Sequence, residues 1–395
     1  MKKILISGVG CCLLDRIYDH IDFCAPTFRQ YMSQRPGDGG LEPGKLTFEE
    51  EVERFAGCRF TDILPVLTQG RQPDKENIGG PCIVALIGAA QLAYQESIVR
   101  FYGCHGDDVV GARMREALGR TPVDLTHYRS EPGSETASTS VLSDPDYDNG
   151  HGERTFVNTI GASWKYLPEE VDASFYEADI CVFGGTAIVP MIHRGMRQML
   201  QQAHQRGAFT VVNTVYDFLS EKQNPGQRWL LGDSDETYPL IDLLIVDHEE
   251  SLRLSGTSSI PQAIDFFGEK GVKAVLVTNG AHDVYLWADS PVFGQVGMQT
   301  MPVSAEVGAE LRAGRRGDST GCGDNFVGGV LASIARQKYA GQTSFDLREA
   351  CRWGIVSGGF TCFYYGGTYF ETHQGEKLQL LTPFYEKYLR QTELQ

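Results

Sequence analysis

Short apolar runs alternate with amphipathic segments along the second half of the chain. The apolar runs predict buried strands, and the longer segments with a helical period predict helices between them. The predicted elements are, in order, a strand at 180–183, a helix near 194–205, strands at 209–213 and 243–246, a helix at 261–270 and a strand at 274–278. This alternation predicts an α/β fold in which a mostly parallel sheet carries helices on both faces.

The pattern is weaker in the first half of the chain. Predicted strands are 2–9, 96–102, 121–129, 136–142 and 155–158, and predicted helices are 48–55, 82–93 and one that ends near 118. Residues 121–129 and 136–142 alternate like the strands of a hairpin. Residues 16–78 are otherwise charged and lack a clean period, and besides the helix at 48–55 we expect them to supply strands of a lid.

Ligands of a parallel sheet bind at the carboxyl ends of its strands. Five residues stand at or just after such ends: Asn213, Asp247, Glu250, Thr278 and Gly280. Asp247 and Glu250 are three residues apart after a strand, so they either cap a helix or hold the water shell of Mg²⁺. From the residues alone, helix capping is the stronger interpretation.

Residues 315–326, RRGDSTGCGDNF, combine turn formers with the start of a helix. Residues 318–320 are turn and cap formers, and Gly321 and Gly323 allow backbone conformations that a side chain would forbid. The backbone N–H groups at the N-terminus of such a helix form an anion site, which the helix dipole strengthens. The stretch therefore predicts a phosphate-binding turn.

Asp324 lies inside this turn, where a carboxylate is unexpected beside a bound anion. A carboxylate next to a phosphoryl group can take the proton from an attacking hydroxyl, which contributes about 10²- to 10⁴-fold in rate. The alternative is a glycine turn capped by an aspartate, which is the more frequent reason for a short Gly-Xaa-Gly-Asp segment. Here all nine residues from 318 to 326 fit a phosphate-binding turn followed by a helix, and this longer match favours the catalytic interpretation.

The segment DSTGCGDNF at 318–326 resembles the C-terminal signature of the PfkB, or ribokinase-like, family of sugar and nucleoside kinases. The resemblance implies that the amides of Gly321, Cys322 and Gly323 form an anion hole together with Asp324, which is the catalytic base. It also implies a ribokinase-like three-layer α/β/α core with a mostly parallel central sheet and a small β-rich lid. The following FVGGVL is most similar to the adenosine-kinase branch.

The acceptor side resembles the family with two departures. GVGCCLLD is similar to the first strand of adenosine kinase and its relatives, which implies that Asp15 binds acceptor hydroxyls. Gly79 and Gly80 match the pair that forms the lid hinge and the floor of the substrate site. Cys11 and Val84 stand where the family often has Asn, so either the acceptor is less hydroxylated than ribose or other residues reach it.

On the nucleotide side, DHEE at 247–250 differs from the family's NxxE motif by one residue. The resemblance implies that Glu250 contacts Mg²⁺ through water and that Asp247 assists. The segment 278–280 resembles the family's TxG turn beside the nucleotide, and we expect Asn213 to contact substrate.

Two further features lie close to the predicted anion turn. The carbonyl groups of Asp318 and Thr320 are candidates for holding a monovalent cation such as K⁺, as in several relatives. Arg315 and Arg316 either contact a substrate phosphate or are solvated, and solvation is the more common outcome for such a pair.

Composition excludes several classes of function. The formal net charge of −16 argues against a nucleic-acid partner. The ten cysteines form no CxxC pair, which favours a reduced, cytoplasmic protein. The opening resembles a secretory signal, but Ser7, Gly8 and Gly10 interrupt its apolar run, and no later segment predicts a membrane span.

Together these features predict an ATP- and Mg²⁺-dependent kinase that phosphorylates a hydroxyl of a sugar or sugar-like small molecule. We expect one kinase domain over 1–395, with a lid formed by inserted segments at about 16–60 and 121–160. Lid-mediated homodimers are common among the relatives. Two alternatives stay open, an adenosine or nucleoside kinase and a catalytically silent sugar- or nucleotide-sensing protein.

Overall fold

The computed structural model describes residues 2–35, 37–150, 152–315 and 317–393. Its strands are β1 (Ile4–Gly10), β2 (Leu13–Tyr18), β3 (Leu46–Phe48), β4 (Lys75–Gly79), β5 (Ser97–Gly106), β6 (Tyr128–Glu131), β7 (Ser138–Asp144), β8 (Glu153–Thr159), β9 (Ile180–Gly184), β10 (Phe209–Asn213), β11 (Leu243–Asp247), β12 (Ala274–Thr278), β13 (Val284–Ser290) and β14 (Gly294–Met301).

The helices connect and cover these strands. They are α1 (Pro26–Arg29), α2 (Glu49–Ala56), α3 (Phe60–Thr68), α4 (Pro81–Leu92), α5 (Val109–Leu118), α6 (Tyr147–Gly150), α7 (Pro190–Gln205), α8 (Phe218–Gln223), α9 (His248–Ser255), α10 (Ile260–Glu269), α11 (Ala305–Arg312), α12 (Cys322–Tyr339), α13 (Leu347–Thr361) and α14 (Glu376–Glu393). None of those in the described ranges is both long and apolar enough to cross a membrane.

The larger sheet has nine strands in the order β14-β13-β12-β11-β10-β9-β1-β5-β6. Its strands pair in parallel from β12 to β6, and β13 and β14 are added antiparallel at one edge. The apolar runs are buried on both faces, because side chains alternate between two cores. In β9, Ile180 and Val182 join the core under α4, α12 and α13, whereas Cys181 and Phe183 join the core under α7 and α10. The predicted three-layer α/β/α arrangement is therefore confirmed.

A smaller sheet has five strands in the order β3-β8-β7-β2-β4. The chain passes between the two sheets four times: from β1 to β2 through two residues, from β4 through Gly80 and α4 to β5, from β6 to β7, and from β8 to β9. A separate apolar core stabilises it, in which Phe28 and Val52 from the helices of its long insertion pack with Leu142 and Val157 from its strands. The smaller sheet therefore has its own hydrophobic support and covers one end of the larger sheet.

The prediction of a hairpin strand at 121–129 is wrong. Only Tyr128–Glu131 forms a strand there, and it pairs in parallel with β5 at the edge of the larger sheet instead of with β7. The Asp124 side chain accepts hydrogen bonds from the backbone N–H and the hydroxyl of Thr126, at 2.9 and 2.6 Å. Such local bonds favour a turn over a strand.

Helix α12 lies at the centre of one helical layer and packs backbone to backbone on two neighbours. A methyl group placed on Gly328 would lie 2.8 Å from the Ala85 carbonyl oxygen of α4, and one placed on Gly329 would lie 2.3 Å from the Trp353 carbonyl oxygen of α13. Real side chains do not approach that closely, so both glycines are required by the packing. Because α12 is held on two sides, its N-terminus is a fixed point of the fold.

We expect Gly329→Ala to destabilise the protein, although alanine is the better helix former by about 1 kcal/mol. Overpacking of a rigid core costs roughly 1–3 kcal/mol, and here the obstacle is a backbone carbonyl that cannot rotate away. The midpoint of thermal unfolding should fall by several degrees. Gly297→Ala is the matched control, because no atom lies within 4 Å of the added methyl. An unchanged midpoint for Gly329→Ala would contradict this packing.

Candidate active site

The turn before α12 leaves backbone donors free. Gly321 adopts the left-handed conformation, with φ of 76°, at the N-cap of α12. Within the described residues, the N–H groups of Gly321, Gly323 and Asp324 have no acceptor, while the Cys322 N–H donates to the Ser319 carbonyl at 3.3 Å. The free donors therefore include three of the four expected residues, and the Cys322 N–H is directed partly into the turn itself. These free groups at a helix N-terminus attract an anion.

The Cys322 side chain is packed against the end of α13. Its Sγ lies 3.5 Å from the Sγ of Cys362. Arg315, which precedes the turn, is also held in place, because its guanidinium lies 4.2 Å from the centre of the Phe363 ring. Arg316 lies outside the described residues.

Asp324 combines partial solvent access with a largely apolar environment. Burial raises the pKa of its carboxyl to about 6. The charge of Asp324 in turn raises the pKa of Asp15 and of Glu250, so Asp324 lies within electrostatic reach of both. An acid with such a pKa is ionised near neutral pH and is still basic enough to take a proton.

Asp15 lies in the middle of β2, between Asn77 of β4 and Thr139 of β7. Burial raises the pKa of Asp15 to about 7, although a hydrogen bond from Thr139 opposes this shift. Gly79 lies directly against the carboxylate, because a methyl group on Gly79 would be 2.3 Å from Asp15 Oδ2. The next residue, Gly80, has φ of 105°, which strongly favours glycine. Asp15 and the pair Gly79–Gly80, both expected on the acceptor side, therefore lie next to each other.

Asp318 uses its carboxylate to hold the turn. Its Oδ1 accepts hydrogen bonds from the N–H groups of Thr320 at 2.9 Å and of Gly366 at 3.3 Å. Arg154 of β8 reaches across from the smaller sheet, with its Nη1 3.9 Å from Asp318 Oδ2. The smaller sheet and the anion turn are therefore linked by opposite charges.

A second link between the smaller sheet and the C-terminal loop is made by Asn77. Its Nδ2 donates to the carbonyl oxygen of Tyr365 at 2.8 Å, and the Thr368 hydroxyl donates to the carbonyl oxygen of Ile78 at 2.9 Å. Asn77 and Arg154 could not be found from the sequence, because neither lies in a recognisable motif and their partners are more than 150 residues away.

Asp247 and Glu250 form a capping box at the start of α9. The Glu250 N–H donates to Asp247 Oδ1 at 2.7 Å, and the Asp247 N–H donates to Glu250 Oε2 at 3.0 Å. Thr214 also donates to the Glu250 carboxylate. The capping interpretation is thus confirmed. Burial and the proximity of the two carboxyl groups raise the pKa of Glu250 to about 8, so a bound cation would be needed to keep both ionised.

The remaining predicted residues lie at the same edge of the larger sheet. Asn213 ends β10 and Thr278 ends β12, as the alternation predicted. The buried Asn213 Oδ1 has no hydrogen-bond partner in the described part of the chain, which suits a ligand, a cation or water as its partner. Gly280 has φ of 58°, and a methyl group added to it would have no atom within 4 Å. No cluster of three or more metal-ligating side chains occurs among the described residues, so a divalent ion would depend on ligand oxygens as well as the protein.

A cavity of 1160 Å³ opens next to the Asp247–Glu250 turn. Leu46, Thr47 and Phe156 of the smaller sheet line one side, and Tyr216 and Glu249 line the other. Neither Asp15 nor Asp324 lines this cavity, which lies between the smaller sheet and the segment around α8.

Comparison with known proteins identifies the class. The model of the pfkB family carbohydrate kinases matches residues 72–373. A fructokinase from Vibrio alginolyticus is 24% identical over 261 residues, which cover 65% of this chain and 76% of the fructokinase. Adenosine kinase from Sinorhizobium meliloti has a TM-score of 0.68 at 16% identity, covering 96% of this chain and 99% of that one. An Escherichia coli protein described as ribokinase II, solved with ATP and Mg²⁺, has a TM-score of 0.64 at 17% identity, covering 98% and 100%.

The fold is that of the ribokinase-like α/β kinases. The chain belongs to the PfkB family of carbohydrate kinases, since the family model matches most of its length. It is therefore an ATP-dependent phosphotransferase of the sugar and nucleoside kinase class.

We expect Asp324→Asn to raise the thermal stability of the ligand-free protein at pH 8 by about 2 °C or more. The pKa of about 6 in the folded protein exceeds the value near 3.9 of an unfolded aspartate. The wild type therefore loses stability as pH rises from 4 through 6, and the asparagine variant does not share this loss. The difference between the two midpoints should disappear below about pH 4. A difference independent of pH would show that Asp324 is not desolvated.

Proposed function

We propose that this protein transfers the γ-phosphate of ATP to a hydroxyl of a sugar or sugar-like acceptor, with Asp324 as the general base. The observation that carries the proposal is the position of Asp324 at the start of α12, beside free backbone amides and within electrostatic reach of Asp15. In phosphoryl transfer most of the rate enhancement comes from positioning and charge stabilisation, so these few groups suffice.

Each group has a distinct task in this proposal. Asp15 accepts a hydrogen bond from the acceptor and orients its hydroxyl, and Asp324 takes the proton as the oxygen attacks. The amides of Gly321, Gly323 and Asp324 donate to the transferring phosphoryl group, with Cys322 shaping the turn. ATP supplies the phosphoryl group and Mg²⁺ neutralises charge on its phosphates.

We assign the nucleotide side to residues at the carboxyl ends of β11 and β12. Glu250 would hold Mg²⁺ through water, with Asp247 beside it, and Thr278 and Gly280 would lie along the nucleotide. We assign Asn213 to substrate contact. The carbonyl groups of Asp318 and Thr320 are our candidates for a monovalent cation such as K⁺.

The smaller sheet serves as the lid in this proposal. It differs from the expected segments in two strands. Strand β4 belongs to it but lies outside those segments, and β6 lies within them but belongs to the larger sheet. Arg154 and Asn77 would bring it against the anion turn and exclude water from the cleft. A lid of this kind is also the surface through which we would expect a homodimer to form.

The side chains of Cys11 and Val84 do not indicate which acceptor the protein binds, because both are buried. Cys11 and Val84 are only 2% and 1% exposed, and a methyl group on Gly367 would lie 3.1 Å from Val84 Cγ2. Val84 is thus committed to packing and offers no hydrogen bond. A nucleoside acceptor is the second candidate, supported by the structural likeness to adenosine kinase over 96% of the chain.

An acceptor screen with MgATP tests the proposal. Ribose, fructose, 2-keto-3-deoxygluconate, adenosine and inosine would be compared by ADP release and by the mass of the phosphorylated product. Transfer to a sugar supports the proposal, and transfer to a nucleoside supports the second candidate. Tight nucleotide binding without transfer to any broader set of alcohols would instead favour a catalytically silent sensing protein.

Asp324→Asn should lower kcat on the preferred acceptor by at least about 100-fold, because the attacking hydroxyl loses its base. The variant keeps the size of the side chain and the backbone amides, so the affinity for MgATP measured by calorimetry should change by less than about threefold. Gly297→Ala serves as a control for unrelated effects of substitution. Near-normal turnover in Asp324→Asn would remove the base from the mechanism.

The pH dependence of kcat/KM should show an acid limb. Burial raises the pKa of Asp324 to about 6 and that of Asp15 to about 7. Both carboxyl groups must be ionised in the free enzyme, so we expect kcat/KM to fall as pH drops from about 7 to 5. The profile would be recorded with an acceptor that does not titrate, and circular dichroism would confirm that the fold persists. A constant kcat/KM over this range would contradict the proposed roles.

A further inference from the structure

Lys377 is a buried lysine close to the anion turn. It lies in the first turn of α14 with only 1% of its surface exposed, and it makes no ion pair within the described ranges. Its Nζ donates a hydrogen bond to Asn325 Oδ1 at 2.7 Å. Burial lowers the pKa of Lys377 to about 7, which Glu371 partly opposes. Burying an amine in this way is unfavourable, so its retention calls for a role.

Asn325 connects this amine to two carbonyl groups. Its Nδ2 donates to the carbonyl oxygen of Gly321 at 2.9 Å and to that of Gly367 at 2.8 Å. Both protons of the amide nitrogen are therefore used, and the amide oxygen faces the lysine. Rotation of the amide by half a turn would place its oxygen against two carbonyl oxygens and its N–H groups against a donor. The three partners together allow one orientation of Asn325.

The two carbonyl groups belong to glycines in close contact. A methyl group on Gly321 would lie 2.5 Å from the Cα of Gly367. Asn325 thus joins the anion turn to the C-terminal loop at the point where their backbones touch. Gly323 and Asp324, whose amides are free, lie two and three residues after Gly321, so their directions depend on how firmly Gly321 is held.

We infer that Lys377 is a positioning residue for the anion turn, which it acts on through Asn325. The inference rests on the proposed function, because the turn matters for turnover only if its amides bind the transferring phosphoryl group. Lys377 does not touch the substrate in this scheme. Its amine fixes the orientation of the Asn325 amide, and the amide fixes Gly321 and Gly367.

Substitutions of Lys377 can separate a role of its positive charge from a role of its hydrogen bond to Asn325. If only the positive charge mattered, any neutral residue would be equally harmful. If donation to Asn325 matters, a neutral donor should retain part of the effect. Lys377→Met and Lys377→Gln form a matched pair for this purpose, because the two side chains have similar length and only glutamine can donate a hydrogen bond.

The first measurement is hydrogen exchange in peptides that span residues 319–330 of the ligand-free protein. We expect Lys377→Met to exchange roughly tenfold faster there, as follows from losing a hydrogen bond to a charged or partly charged group. Lys377→Gln should lie closer to the wild type. Lys387→Met is the control, since Lys387 is on the same helix but pairs with Glu306 on the surface. Unchanged exchange in Lys377→Met would overturn the inference.

The second measurement is a double-mutant cycle with Asn325→Ala. If Lys377 acts through Asn325, Lys377→Met should have little further effect on exchange in the Asn325→Ala background. Additive effects would overturn the inference. Should Lys377→Met fail to fold, Asn325→Ala is measured alone, and unchanged exchange at 319–330 in that variant would overturn the inference.

The third measurement is turnover with MgATP and the acceptor found by screening. Lys377→Met should lower kcat about tenfold or more while the KM for the acceptor changes less than about threefold, with Lys377→Gln intermediate. Equal kcat for Lys377→Met and the wild type would overturn the inference. If the wild type transfers phosphate to no acceptor, the proposed function fails, and the exchange measurements still decide how the turn is held.

Discussion

The desolvated negative charge in the cleft is the constraint on which the rest of the structure depends. The charge of Asp324 raises the pKa of both Asp15 and Glu250, and burial raises the pKa of all three carboxyl groups. Partly desolvated carboxyl groups oppose folding, and the fold must supply enough packing to hold them there. The same arrangement favours a divalent cation, so the repulsion in the free protein would be relieved by the Mg²⁺ that accompanies a bound nucleotide.

The packing that holds these groups comes from close contact between backbones. Gly328 and Gly329 let α12 touch α4 and α13 directly, and Gly79 lets β4 lie against the Asp15 carboxylate. These glycines lack the side chains that would separate the elements. A methyl group on Gly79 would displace the Asp15 carboxylate, and one on Gly328 or Gly329 would displace the backbone of a neighbouring helix. The site is thus built from elements that are rigid because they are in contact, and the smaller sheet is attached to this rigid base through Asn77 and Arg154.

Much of the α/β core could be predicted, because buried parallel strands are continuous apolar runs. The strands at 209–213 and 274–278 have the predicted bounds. The antiparallel strands β13 and β14 were missed, since β14 is mostly exposed and lacks an apolar run. The prediction of a strand at 121–129 was wrong because Thr126 donates hydrogen bonds to the side chain of Asp124, which favours a turn. Site residues in motifs were found, whereas Asn325 and Lys377 were not, because their role comes from a contact between distant segments.

The contact between Lys377 and Asn325 has a consequence for the making of the protein. The chain is synthesised from its N-terminus, so strands, lid and anion turn are all complete before residue 377 leaves the ribosome. Until then Asn325 has no amine to fix its amide, although the loop that carries Gly367 can already bond to the turn through Asp318. A nascent chain would therefore form its strands well before helix α14 fixes the orientation of Asn325.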